Sequence, residues 1–359
     1  MSRTVPPVVG PCPSEELLFA YAAGSGRLRD AEKLLIHLDG CSTCRQLLAE
    51  ASRSLDAAPA PVAVPAKIRT FSDGDLVVDR YRIERFLAQG GMGEVYVAQD
   101  LLLEETVALK TLTCTALDDQ RAAFRFKAEA RLARRVTHPN VCRILEYGVQ
   151  VRKRAKQAES IPFLTMEFLA GETFNRRITR RGRLPEGEIL PLLQQVIAGL
   201  QAIHACGIVH RDLKSENVFL VPAPRGERAV VMDFGLARAL DGSVVSTWPL
   251  ARMLAGTIDT MAPEQIEGRK PEPTMDVFAF GVLLFEALTG RRPFVDVPPM
   301  KRLREKAPLP SSVNTSLHPR WDRIVGKCME TNPTARYQDF REIADALAKA
   351  QRPVAGVTF

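Results

Sequence analysis

The 359-residue chain has no uninterrupted apolar run near the roughly 20 residues that a bilayer-crossing helix needs. Its opening residues, MSRTVPPVVGPCPSEELL, lack the apolar stretch of a secretory signal. The seven cysteines do not form an extracellular disulfide framework: Cys12, Cys41 and Cys44 cluster near the N-terminus, and Cys114, Cys142, Cys206 and Cys328 are scattered in apolar surroundings. A reducing cytoplasm is the expected compartment. No internal repeat is visible. The charge is not extreme either, with 49 basic and 42 acidic residues giving +7. That balance tolerates acidic partners but does not call for nucleic acid. What remains is an ordinary globular composition, 46% hydrophobic and 25% charged, in a chain long for one domain and short for three.

The pattern changes along the chain. Leu17, Leu18, Tyr21, then Leu34, Leu35 and Leu38 recur at helical spacing, and a second helix is expected from about Ser42. The Ala/Pro-rich stretch DAAPAPVAVPAKIRT reads as a linker with no packed core. From Tyr81, YRIERFLAQGGMGEVYVAQD alternates apolar and polar residues about a glycine turn, which predicts two strands, and VALKTL predicts a third. FRFKAEARLARRV reads as a helix. Ile189, Leu193, Val196, Leu200 and Ile203 form one stripe of a core helix, and DVFAFGVLLFEALTG, apolar nearly all round, predicts a buried one.

The segment His210-Arg211-Asp212-Leu213-Lys214-Ser215-Glu216-Asn217, with Asp233-Phe234-Gly235 downstream, carries the chemistry. It holds an acid that can orient a hydroxyl, a lysine that can neutralise a phosphate, and two oxygen ligands suited to magnesium. These motifs, in order across about residues 81 to 350, resemble the eukaryotic-type serine/threonine protein kinases of bacteria.

The resemblance implies a role for each matching position. Leu87-Ala88-Gln89-Gly90-Gly91-Met92-Gly93-Glu94-Val95 is the glycine-rich loop over the ATP phosphates, with Ala88 where the family has glycine and Val95 against the adenine. Lys110, in Val107-Ala108-Leu109-Lys110, contacts phosphates and is held by Glu129. Met166 is the gatekeeper, and the backbones of Glu167 and Leu169 meet the adenine edge. Asp212 takes the hydroxyl proton, Lys214 faces the transferring phosphate, and Asn217 and Asp233 hold Mg²⁺. His210 packs on Phe234. Arg211 receives a phosphate on the activation segment, with Ser246 and Thr247 as candidate phosphosites and Thr257 bonding the catalytic loop. Glu264 pairs with Arg336, and Asp276 caps the catalytic loop. Thr260 stands where relatives usually carry an aromatic residue. Two basic stretches, VRKRAKQ at a hairpin loop and the cluster Arg176, Arg177, Arg180, Arg181 and Arg183, read as solvated faces that could also recruit acidic substrates.

His37-Leu38-Asp39-Gly40-Cys41-Ser42-Thr43-Cys44 has H-x3-C-x2-C spacing, and Cys12 is the candidate fourth ligand. Two cysteines two apart across a turn can share one metal. The pattern resembles the zinc-binding fold of anti-sigma factors, with cysteine in place of the usual first histidine, giving a Cys3His set.

The expected organisation is an α+β two-lobed kinase fold, β-rich then α-rich, over residues 75–350. A helical zinc-binding module (1–55) and an Ala/Pro-rich linker (56–74) precede it, and a tail (351–359) follows. The expected function is transfer of the ATP γ-phosphate to Ser/Thr hydroxyls of proteins, with Mg²⁺. Regulation would come from the activation segment and from the N-terminal module, which could bind a protein partner. The alternatives are a nucleotide-binding pseudokinase scaffold, which Ala88 and Thr260 favour, and an anti-sigma-like binding protein.

Overall fold

The computed structural model describes residues 12, 13, 37, 41, 43, 44, 69–89, 93–112, 127–128, 130–154, 157–224, 226–234, 258–294 and 305–351. Six strands form one antiparallel sheet: β1 (Leu76–Val77), β2 (Tyr81–Gln89), β3 (Gly93–Asp100), β4 (Glu105–Leu112), β5 (Ile144–Arg154) and β6 (Gln157–Glu167), in the order β1-β2-β3-β4-β6-β5. Alternation puts successive side chains on opposite faces. Val107 and Leu109 join Tyr81, Ile83, Tyr96 and Phe163 in a core on one face, while Ala108, Leu164 and Met166 belong to the larger core that continues into the helical lobe.

The second lobe begins with β7 (Glu172–Thr173) and α1 (Phe174–Arg181), then α2 (Glu186–Ala205). Strand β7 pairs with β8 (Val218–Ala223), which pairs with β9 (Gly226–Val231). Helix α3 (Pro273–Thr289) follows, then α4 (Arg320–Cys328) and α5 (Phe340–Gln351). Every residue of α3 from Thr274 to Leu288 is buried, as its uniform apolarity predicts, and Gly290 ends it at φ 78° with its amide on the Glu286 carbonyl. The core stripe of α2 is also formed: Ile189, Leu193, Val196, Leu200 and Ile203 are all buried.

Two expectations change. Residues 151–154 of VRKRAKQ are strand rather than loop, because β5 and β6 stay paired out to Arg154 opposite Gln157. Arg152 is not left to solvent: it donates to the Thr70 carbonyl, pairs with Asp75 at 2.9 Å and covers the Phe71 ring. The arginine cluster departs from a solvated face at Arg177, while Arg176, Arg180, Arg181 and Arg183 stay exposed. Arg177 reaches Glu172, Glu188 and Glu227 at 2.6 to 3.1 Å, tying α1 to β7, α2 and β9. Arg180 pairs with Glu172, Arg181 with Glu188, and Arg183 donates to Asn314.

Residues 69–74, which composition places in the linker, pack on the N-lobe. The Gly74 amide donates to the Ile83 carbonyl at 2.8 Å, and Phe71 is 1% exposed. Among the described residues no helix is long and apolar enough to cross a membrane.

Candidate active site

The turn after α2 leads into the segment carrying Asp212, and its backbone is not relaxed. Arg211 has φ 66° and Asp233 φ 55°, a left-handed region that costs a non-glycine residue about 1–2 kcal/mol. Asp276, fully buried on α3, holds the first of these. Its two oxygens accept from the amides of His210 (2.7 Å) and Arg211 (2.8 Å), and Oδ2 also meets His204 Nε2 at 2.7 Å. Asp276 thus lies against the loop to which the sequence assigns it; His204 as a further partner has no signal in the sequence.

His210 is scaffold. Its Nδ1 accepts from the Asp212 amide at 3.3 Å, so Nε2 carries the proton that goes to the Met232 carbonyl at 3.0 Å. Its ring meets the buried Phe234 ring edge-on at 6.4 Å. Backbone bonds then fasten the two chemical segments together, since the Met232 amide donates to the Asn217 carbonyl at 2.8 Å.

The polar side chains converge there. Lys214 Nζ lies 3.1 Å from Asp212 Oδ1, and Asn217 Nδ2 donates to both the Asp212 carbonyl (2.8 Å) and Oδ2 (3.0 Å). With its nitrogen so committed, Asn217 offers its amide oxygen to a cation. Lys110, on β4, meets Asp233 at 2.6 Å. Burial alone would push the Asp233 carboxyl up; the ammonium of Lys110 outweighs it and holds Asp233 below its ordinary value. Glu129, the partner that sequence reading gives Lys110, lies outside the described residues.

The apolar part of the site is continuous with the main core. Val95 pairs with Ala88 across β2–β3 and with Lys110 across β3–β4, and it packs on that core with Ala108, Met166, Leu169, Phe219 and Met232. Phe219, two residues after Asn217 on β8, has no signal in the sequence beyond that of one more apolar strand residue. The Glu167 amide is taken by the Arg143 carbonyl, and its carboxylate pairs with Arg228. Glu94 does not turn its side chain to the site: its carboxylate accepts from the Thr70 amide and the Tyr96 hydroxyl. Leu87 and Gln89 lie at the end of β2 and Gly93 opens β3, while Gly90, Gly91 and Met92 lie outside the described residues. So do Gly235, Ser246, Thr247 and Thr257.

Two ion-pair clusters differ in burial, the first fully buried and the second partly exposed at Glu216 and Asp259. Glu264 and Arg336 form a bidentate pair at 2.6 and 2.8 Å, and the remaining donors of Arg336 reach the carbonyls of Thr274, Glu330 and Thr331, so all five N–H groups are satisfied. Separately, Ser215 donates to Glu286 at 2.7 Å, and Arg292 joins Glu216, Glu286 (3.5 Å) and Asp259 (3.7 Å). Burial pushes Glu286 up, with Arg292 opposing. Thr260, next to Asp259, is buried.

In the N-terminal unit, Cys12, His37, Cys41 and Cys44 bring their donor atoms within 4.8 Å of one another. The Cys41 amide donates to the His37 carbonyl at 2.9 Å, which closes the turn between them. The Cys12 and Cys41 sulfurs are 3.9 Å apart, close to the ~3.8 Å edge of a tetrahedron with 2.3 Å metal–sulfur bonds. The donor set and its spacing therefore fit zinc. The Cys44 amide lowers the Cys41 thiol to about 7, and burial raises Cys44 to about 12.

Residues 81–348 match the family model of the protein kinase domain, and the chain belongs to that family. It is 39% identical, over 79% of its length, to the serine/threonine-protein kinase pkn2 of Myxococcus xanthus, of which it covers 34%. It is 35% identical, over 75% of its length, to the serine/threonine-protein kinase PknA of Mycobacterium tuberculosis, of which it covers 61%. The chain thus spans between about a third and three fifths of these relatives. Among solved structures, the Mycobacterium tuberculosis PknI kinase domain superposes with a TM-score of 0.61 at 25% identity, covering 78% of this chain and 99% of that one.

Proposed function

We propose that this chain is an ATP- and Mg²⁺-dependent serine/threonine protein kinase. The observation that carries the reading is the convergence of Lys110, Asp212, Lys214, Asn217 and Asp233 where the two lobes meet, each within hydrogen-bond reach of another member. Asp212 accepts the proton of the substrate hydroxyl as the oxygen attacks phosphorus. Lys214, held against Asp212, stabilises charge on the transferring phosphoryl group. Lys110 positions the α and β phosphates, with Val95, Ala108, Met166, Leu169 and the backbone of Glu167 enclosing the adenine. Asn217 and Asp233 are the residues to hold Mg²⁺, which neutralises phosphate charge when bound. Lysine at 214, rather than arginine, favours serine and threonine acceptors over tyrosine. The relatives' names support the same class. The pseudokinase alternative is less favoured because Lys110, Glu129, Asp212, Lys214, Asn217 and Asp233 are all present in the sequence.

The test is incorporation of labelled phosphate from ATP into a generic basic protein, wild type against Asp212→Asn. An inactive wild type in the presence of Mg²⁺ would move the reading to a scaffold.

The domain reading is a kinase unit that starts at 69 rather than 75, because residues 69–74 pack on the N-lobe, and runs to 350, with residues 1–55 as a zinc-holding module, 56–68 as linker and 351–359 as tail. Cys12, His37, Cys41 and Cys44 hold one structural zinc there, and the module serves as the regulatory or partner-binding part. Arg211 and a phosphate on Ser246 or Thr247 form the second regulatory element. Phosphopeptide mapping after incubation with ATP tests it: modification confined to other residues rejects it.

A further inference from the structure

The strand that leaves the glycine-rich loop is fastened from behind by a segment the reaction does not account for. Phe71 is buried among Tyr96, Tyr81, Ile83 and Phe163, on the sheet face opposite Val95 and Lys110. Its ring meets that of Tyr96 edge-on at 5.7 Å. The Phe71 amide donates to the Tyr96 hydroxyl at 3.1 Å, and that hydroxyl donates to Glu94 at 2.6 Å. The Thr70 amide donates to the same Glu94 oxygen at 2.8 Å. Arg152 clamps the segment from β5 through the Thr70 carbonyl and Asp75, and Arg69 lies over the Phe86 ring on β2 at 4.4 Å.

Glu94 is 6% exposed. A carboxylate buried in a lobe is a poor source of stability, because desolvation offsets much of what its bonds return. It is an effective way to fix register, since only one placement of the strand satisfies it. What it fixes here is the start of β3. Gly93 precedes it, Val95 follows it, and Gln89 pairs with it across the loop. A glycine-rich turn has few side chains to hold its own backbone, so its ends must set its position.

We propose that Arg69–Asp75 is a positioning strap for the nucleotide site, anchored by Phe71. It acts through Glu94 and Tyr96 to hold Gly93 and Val95 at the height at which the loop meets ATP. The inference rests on the kinase reading above. The strap contributes no atom to the reaction; it sets nucleotide affinity from the far face of the sheet. It also makes the last residues before the N-lobe part of the ATP site's support.

The experiment measures the dissociation constant for ATP with Mg²⁺, together with KM for ATP and for a protein substrate, in the full chain. Tyr96→Phe keeps the ring packing and deletes the hydroxyl that joins the Phe71 amide to Glu94; Phe71→Ala removes the anchor and Phe71→Leu partly restores it. Tyr81→Phe, which loses a bond to Glu146 in the same core, is the stability control. The strap requires ATP affinity to fall about fivefold or more in Tyr96→Phe, with KM for the protein substrate unchanged. Recovery in Phe71→Leu relative to Phe71→Ala supports it further. If Phe71→Ala does not fold, Tyr96→Phe against Tyr81→Phe decides alone. Equal ATP affinity in those two overturns the strap while leaving the kinase reading intact. A folded wild type that binds no nucleotide overturns both.

Discussion

Asp212 shows how much of the site is settled one residue at a time. Its neighbours in the sequence, Lys214 and Asn217, are its partners in space, so the short motif carries most of its own geometry. The substitution Asp212→Asn exchanges the carboxylate for an amide, which removes proton acceptance while preserving shape. We expect kcat to fall by about 10²–10⁴-fold with ATP affinity nearly unchanged, read from initial rates of phosphate transfer and nucleotide titration. Arg336 is the opposite case, a residue whose partners are all distant or backbone. Arg336→Met leaves the buried Glu264 without its counter-charge, and the expected loss is about 3–5 kcal/mol in chemical denaturation. Arg336→Lys should recover little of it, because an ammonium cannot bridge both oxygens and three carbonyls at once.

At the scale of elements, close approach rather than side-chain chemistry decides several contacts. Gly199 on α2 lets the helix lie against the Asn140 backbone; a Cβ there would stand 2.6 Å from the Asn140 carbonyl oxygen. Gly199→Ala is expected to cost about 1–3 kcal/mol despite the better helix propensity of alanine, measured as a lowered midpoint of denaturation. The strap and β3 are also coupled electrostatically. Burial alone would raise Glu94, but the Tyr96 hydroxyl and the Thr70 amide hold it below its ordinary value. A carboxyl depressed in the fold contributes stability above its unfolded pKa and loses it as pH falls through the folded one. Acidification below the ordinary carboxylate range should therefore loosen the N-lobe less in Glu94→Gln than in wild type. Thermal melting of both proteins across that pH range measures the difference.

For the whole molecule, the chain combines a kinase domain with a Cys3His cluster in residues 12–44, and the two should respond to different reagents. Metal analysis of the reduced, full-length protein is expected to give about one zinc per chain, lost in Cys41→Ser together with Cys44→Ser. A zinc-selective chelator, with Mg²⁺ kept in excess, should leave ATP binding in place, since the magnesium site proposed at Asn217 and Asp233 offers oxygens rather than thiolates. No zinc in freshly prepared protein would reject the metal and leave the cluster as packed small residues.

The sequence by itself determined the strands about the glycine turn, the buried helix α3, the catalytic segment and the distant Glu264–Arg336 pair, because periodicity and short motifs record contacts made within a few residues or repeated across a family. It could not place Arg152 or Arg177, whose charges read as solvated until strands and helices from elsewhere brought carboxylates to them. Nor could it tell that residues 69–74 leave the linker: a single phenylalanine after a proline-rich stretch has no period, and only the tertiary structure supplies the pocket of Tyr96 and Ile83 that buries it. Local chemistry is written in order along the chain. Support from behind the site depends on which surfaces meet, and that is decided only when the sheet closes over them.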